Sequence, residues 1–188
     1  AEGCRIVLCA RRESALTPLA TTLHGTYGID AGYVVADLDT PEGCAHAVES
    51  TLSAHGRVDV LLTNNGEPAP GNFADHDDAA WSAAWNRTMM STVRLIRGFL
   101  PPMRSNKEGR IINITSISVK QPVQRLLFSN AYRAAVTGMA KTLSDEVAAE
   151  GITVNNIAPG YVDTARLTHL FEDRARQNSS TPAAERDA

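Results

Sequence analysis

Long apolar runs, blocks of one charge sign and clustered metal ligands are all missing from this sequence of 188 residues. No stretch approaches membrane-spanning length and no leader-peptide pattern opens the chain, so neither a membrane nor a secretory route is expected and a cytoplasmic location is. The net charge is -3 and no basic patch stands out, which argues against a nucleic-acid partner. Cys4, Cys9 and Cys44 are odd in number and lack metal-ligand spacing; they read as small core residues in a reducing compartment. His24, His46, His55, His76 and His169 share no spacing either and read as surface or helix-end residues, so no metal is expected. There is no internal repeat, low-complexity segment or linker. The first residue is Ala rather than Met, which reads as a processed or trimmed chain.

What is present is an alternation. Short apolar runs at residues 5–9, 33–36, 58–63, 110–115 and 152–157 are separated by segments with apolar residues every three or four positions. This predicts parallel strands, buried on both faces, joined by crossover helices. Leu16, Leu19, Ala20 and Leu23 form the stripe of the first helix. Thr40-Pro41 offers an N-cap with proline at the first helical position, and Gly56 a stop. Along residues 77–103, Trp81, Trp85, Met89, Val93, Ile96 and Leu100 recur at helical spacing, suited to a core or a subunit interface, and Pro101-Pro102 mark the end or a kink. A long helix over residues 123–150 ends at Gly151. With 43% hydrophobic residues the chain suits one domain, residues 1–188, with a polar, frayed tail over 174–188.

The stretch 109–164 carries the most chemistry. A strand ends at Ser116, a helix follows, and a second strand ends in Pro159-Gly160 with Thr164 four residues on. Polar residues at the C-terminal ends of parallel strands face the crevice where such sheets bind ligands. In order and spacing this stretch resembles the catalytic half of the short-chain dehydrogenase/reductase family. The family's helix carries Tyr-x-x-x-Lys, and here Ser129 and Arg133 stand in those places, with Tyr132 one turn later than the family's Tyr.

The resemblance implies a doubly wound, mostly parallel, Rossmann-like α/β fold in three layers, without the family's first strand and Gly-rich turn at the start or its seventh strand at the end. If the two strand edges flanking that first strand closed up, a five-stranded sheet would result; otherwise residues outside this chain fill the place. The resemblance also implies a cofactor. Arg11 and Arg12 follow the first run, where a basic residue favours the 2′-phosphate of NADP(H) over NAD(H); a solvated surface pair is the other reading. Asp37 falls beside the cofactor adenine or serves as a turn residue. Thr63-Asn64-Asn65-Gly66 aligns with the family's Asn-Asn-Ala-Gly, near a ribose, or is turn chemistry alone. Thr88 occupies the place of a helix Asn that joins the catalytic group in many members.

In the resembling enzymes a phenol of lowered pKa protonates the substrate oxygen, a Ser hydroxyl orients it, and a Lys lowers the phenol pKa and holds the ribose. Ser129 is too weak an acid for the first task, and Arg133 supplies positive field or holds a ribose without relaying a proton. Tyr132 lies about 60° from the Ser129 direction, either reaching the crevice or packing on a neighbouring helix. Two function classes stay open. One is an NADP(H)-linked oxidoreductase acting on a small carbonyl or secondary alcohol, a homodimer or homotetramer through the 77–103 and 123–150 helices. The other is a repurposed binding or non-redox protein that kept the fold.

Overall fold

The computed structural model describes residues 3–66 and 68–187. Strand β1 (Ile6–Ala10) leads into helix α1 (Glu13–Tyr27), β2 (Ala31–Val35) into α2 (Pro41–His55), and β3 (Val60–Thr63) into α3 (Asp78–Trp85) and α4 (Ser91–Asn106). Strand β4 (Gly109–Ile114), α5 (Leu127–Val147) and β5 (Ile152–Ile157) form the last crossover. Every strand pairing is parallel, as connections through helices require. The fold is α/β and Rossmann-like, and each strand lies within two residues of its expected place.

Strand parity assigns the layers. Val34 and Ala36 join the core with Ala47 of α2, while Tyr33 points the other way and donates its hydroxyl to Glu13 of α1 at 3.0 Å. In the second sheet Leu61, Ile111, Ile152 and Val154 share one face with Leu95, Phe99 and Met103 of α4 and Val147 of α5. Burial on both faces does not hold for β3. Leu61 is 7% exposed, whereas its neighbour Leu62 on the opposite face is 54% exposed.

The sheet does not close into five strands. β1 pairs with β2, and β3 pairs with β4 and β4 with β5, as two separate sheets. One core cluster, built on α2 and α4, spans both sheets, so helix packing rather than strand pairing sets their separation. The two helices approach closely at Gly98, where an added Cβ would stand 2.6 Å from Val48 Cγ2.

The helix expected over 77–103 is broken earlier than its prolines suggest. A π-turn at Asn86–Met90 separates α3 from α4, and Pro101 and Pro102 lie inside the last turns of α4. The extra residue of a π-turn rotates the following face. Ile96 is buried as its place in the stripe suggests, but its buried companions on α4 are Leu95, Phe99 and Met103 rather than Val93 and Leu100. The prolines lack the N–H groups that would reach Arg97 O and Gly98 O, so the helix continues through them at the loss of two backbone bonds.

Cys44 is buried, its thiol donating to Leu38 O at 3.2 Å, but Cys4 and Cys9 are exposed, so only one of the three belongs to the core. The chain divides into two compact units, residues 1–158 and 159–188. In the second, α6 (Ala165–Asn178) and α7 (Pro182–Asp187) replace the frayed tail expected from composition. Local bonds explain it: the Thr164 hydroxyl caps α6 at Leu167 N, Thr181 Oγ1 accepts from Ala184 N, and Arg186 pairs with Asp163 and lies 5.8 Å over the buried Phe171 ring.

Candidate active site

Arg133 ties together two strand ends. From α5 its Nη1 donates to Ile114 O, the last residue of β4, at 2.8 Å, and its Nη2 donates to Gly66 O, in the turn after β3, at 2.6 Å. A planar, permanently charged fork can serve two carbonyls at once. Two residues beyond Ile114 is Ser116, whose Oγ accepts from Ser118 N at 3.1 Å and caps the short turn Ile117–Val119. That bond uses an acceptor lone pair and leaves the Ser116 O–H available as a donor. Thr115 fixes the same strand end, sending both N–H (2.7 Å) and Oγ1–H (3.0 Å) to Ile157 O of β5.

Beneath these turns runs a polar ladder across three strands. Thr63, Asn113 and Asn156 stand in register; Thr63 Oγ1 donates to Asn113 Oδ1 at 2.8 Å and Asn113 Nδ2 donates to Asn156 Oδ1 at 3.1 Å. Thr63 and Asn113 are buried, so this pairing keeps their polar atoms from costing desolvation energy. The sequence reading missed Asn113. An Asn interrupting an apolar strand, matched by a second Asn in the next strand, was the available signal.

The turn after β3 is held against the π-turn. Asn65 Nδ2 donates to Arg87 O at 3.1 Å and contacts Ser91 Oγ. Gly66 has φ +86°, and a Cβ there would lie 2.8 Å from Thr88 Oγ1, so both backbone conformation and close approach require glycine. Thr88 is only 2% exposed and its Oγ1 lacks a partner among the described residues. It borders a polar cavity of about 10 Å³, room for a single water, shared with Thr63, Asn65, Thr115, Arg133 and Val136.

Other candidates lie elsewhere. Ser129 is 3% exposed. Tyr132 packs on the neighbouring helix α3, where its ring meets Trp81 and Trp85 edge-on and its hydroxyl donates to Trp81 O at 3.1 Å, and it stacks on Phe128 of its own helix (centroids 6.0 Å, planes 9° apart). Burial raises its pKa above the usual phenol value, the opposite of what a proton donor at neutral pH needs. Arg11 and Arg12 are exposed just past β1, and Arg12 occupies the N-cap position of α1. Asp37 Oδ1 accepts from Asp39 N at 3.1 Å, closing a turn after β2. Asn64 is exposed. Pro159, Gly160 and Thr164 belong to the second unit, where Thr164 caps α6.

The described residues fit a dinucleotide in one respect, exposed cations past β1, near the N-terminus of α1, with no ion pair to another described residue. They hold no group of three or more His, Cys, Asp or Glu side chains arranged for a metal, and no helix among them is long and apolar enough to cross a membrane.

Known proteins resemble this chain in sequence and in fold. The chain is 32% identical over 186 residues to the ketoacyl reductase assigned to the monensin polyketide synthase of Streptomyces virginiae, covering 98% of this chain and 71% of that one. It is 34% identical over 171 residues to the D-beta-hydroxybutyrate dehydrogenase of Rhizobium meliloti, covering 87% and 64%. Its fold superposes on L-sorbose reductase of Gluconobacter frateurii, complexed with NADPH and L-sorbose, with a TM-score of 0.89 and 33% identity, covering 97% and 70%. The chain thus spans about two thirds of the length of these relatives. The short chain dehydrogenase family model matches residues 1–175, and with relatives this similar the chain belongs to that family.

Proposed function

We propose that the protein is an NADP(H)-linked oxidoreductase that interconverts a small carbonyl compound and the corresponding secondary alcohol. The observation that carries this reading is the placement of Ser116 just past β4, its O–H left to donate beside the Arg133 clamp. L-Sorbose reductase and an actinorhodin polyketide ketoreductase variant, both similar in fold, were each solved with NADPH, which supports the choice of cofactor. The cofactor, when bound, supplies the hydride. Ser116 orients the substrate oxygen, Arg133 adds positive field while fixing the Gly66 turn, and the oxygen takes its proton from water, because Tyr132 is committed to Trp81 O. By the family's motifs, Arg11 and Arg12 hold the 2′-phosphate and Asp37, Thr63, Asn64, Asn65 and Gly66 serve the adenosine and ribose; Pro159, Gly160 and Thr164 carry the motif that the family uses for the nicotinamide. The residue-by-residue assignment rests on the family's motifs. The relatives' names span ketoacyl, hydroxybutyrate and sorbose chemistry, so the substrate class stays at carbonyl or secondary alcohol.

The same bond from Tyr132 favours a second reading, a protein of this fold that binds the dinucleotide or another ligand without hydride transfer. We further propose a cytoplasmic homodimer or homotetramer, joined through α4 and α5, which light scattering would report as at least twice the chain mass. Treated as one domain, residues 1–188 should unfold in one transition.

Titration of NADPH fluorescence tests the reading, with saturable binding expected for the whole protein. A bond from Arg to a phosphate is worth roughly 1.5 to 3 kcal/mol, so Arg11→Ala should weaken NADPH by about tenfold or more and leave NADH nearly unchanged. Equal losses for both cofactors would sink the phosphate assignment.

A further inference from the structure

The π-turn frees one carbonyl, and that carbonyl has a use. In an α-helix the Ser91 N–H would bond to Arg87 O, four residues back, but here it bonds to Asn86 O. Arg87 O instead accepts from Ser91 Oγ at 2.6 Å and from Asn65 Nδ2, in the turn after β3, at 3.1 Å. The side chain of the same residue reaches the other way. Arg87 Nε donates to Asp39 Oδ2 at 2.7 Å, with both side chains about a third exposed or less, and Asp39 N in turn bonds to the Asp37 carboxylate at 3.1 Å. Arg87 therefore touches two strand-end turns, one through its backbone and one through its guanidinium. A carbonyl released by a π-turn and a charge-assisted bond in a half-buried place are both strongly directional.

We propose that Arg87 is a positioning residue that couples the Asp37 to Thr40 turn to the Gly66 turn, so that the two walls of the crevice keep a fixed spacing. The coupling stands on the contacts alone. Its consequence for cofactor affinity rests on the function proposed above. Asp39→Asn weakens the grip on the Arg87 guanidinium without touching Asn65. The π-turn then relaxes, Arg87 O turns from Asn65, and the Gly66 turn loosens although no group in it has changed. Asp39→Glu keeps the carboxylate and restores the tie.

Nuclear magnetic resonance of the Asn65 side-chain amide, assigned by its loss in Asn65→Asp, tests the coupling. In Asp39→Asn the Nδ2 protons should exchange with solvent about tenfold faster and shift, with both changes reversed in Asp39→Glu. Unchanged exchange and shift in Asp39→Asn would overturn the proposal, as would equal changes in Asp39→Asn and Asp39→Glu. Arg87→Lys, which keeps the charge and the carbonyl, guards against a variant that fails to fold and should fall between the two. In the whole protein, Asp39→Asn should raise the NADPH dissociation constant by about tenfold and leave kcat within about twofold, the pattern of coupled sites. A kcat loss with unchanged affinity would contradict positioning. If the unaltered protein binds no NADPH, the functional reading fails while the amide measurement still decides the coupling.

Discussion

Phe128→Ala is expected to destabilise the protein by about 3 to 5 kcal/mol, the usual cost of removing a fully buried aromatic ring from a packed site. Phe128 is 1% exposed. Its ring lies 4.1 Å from that of His76, 4.9 Å from Trp81 at an edge-on 85°, and 6.0 Å from Tyr132 in a stacked geometry. These four rings join α3, α5 and the segment leading into α3, so the void cannot be filled by moving one element alone. Urea unfolding should show a lower midpoint at unchanged slope. A loss below about 1 kcal/mol would mean that the cluster repacks and does not hold α3 on α5.

The second large effect is expected at Arg133. Arg133→Met keeps the aliphatic stem and removes both donors, leaving Ile114 O and Gly66 O without their charged partner. Hydrogen bonds to charged groups contribute roughly 1.5 to 3 kcal/mol each, so a loss on the order of 3 kcal/mol is expected, measured by denaturant unfolding. The same variant should lower NADPH-dependent turnover more than Ser129→Ala does, because Ser129 is a weak acid in a buried place while Arg133 fixes the crevice turn. Full stability in Arg133→Met would show that the two carbonyls find other donors and that the guanidinium is not the clamp.

The strands were legible because short apolar runs, punctuated by caps such as Thr40-Pro41 and stops such as Gly56, leave little choice of element. The π-turn was not. Residues 86–90 read Asn-Arg-Thr-Met-Met, which carries no breaker, and the turn is fixed by tertiary partners, Asn65 on one side and Asp39 on the other. Pro101-Pro102 carried a strong local signal, yet α4 continues through them because Leu95, Phe99 and Met103 bury its face. The separation of the two sheets depends on how α2 meets α4 at Gly98, a contact with Val48, far back along the chain, that no local pattern announces.

The place of Ser116 just past a strand was legible from spacing, and so was that of Ser129 and Arg133 on the helix that follows. The direction of Tyr132 was not, because one turn of helix leaves a phenol free to point to either side. What decides it is the Trp81 carbonyl and three aromatic rings on α3 and α5, none of which lies within a helical turn of Ser116. The Thr63, Asn113 and Asn156 ladder was likewise hidden. Strand pairing brings its members together, and each residue alone reads as an isolated polar interruption.

The proposed reaction is hydride transfer without a residue phenol in the crevice. Its most direct test is to give the whole protein NADPH deuterated at the transferring carbon, together with a panel of small ketones, and to follow the label by mass spectrometry. Deuterium is expected on the carbinol carbon of at least one product, with transfer that Ser116→Ala sharply slows and a rate that Tyr132→Phe leaves within about threefold, since that hydroxyl is bonded to Trp81 O. NADPH bound with no label transferred to any ketone, or transfer abolished by Tyr132→Phe, would contradict it.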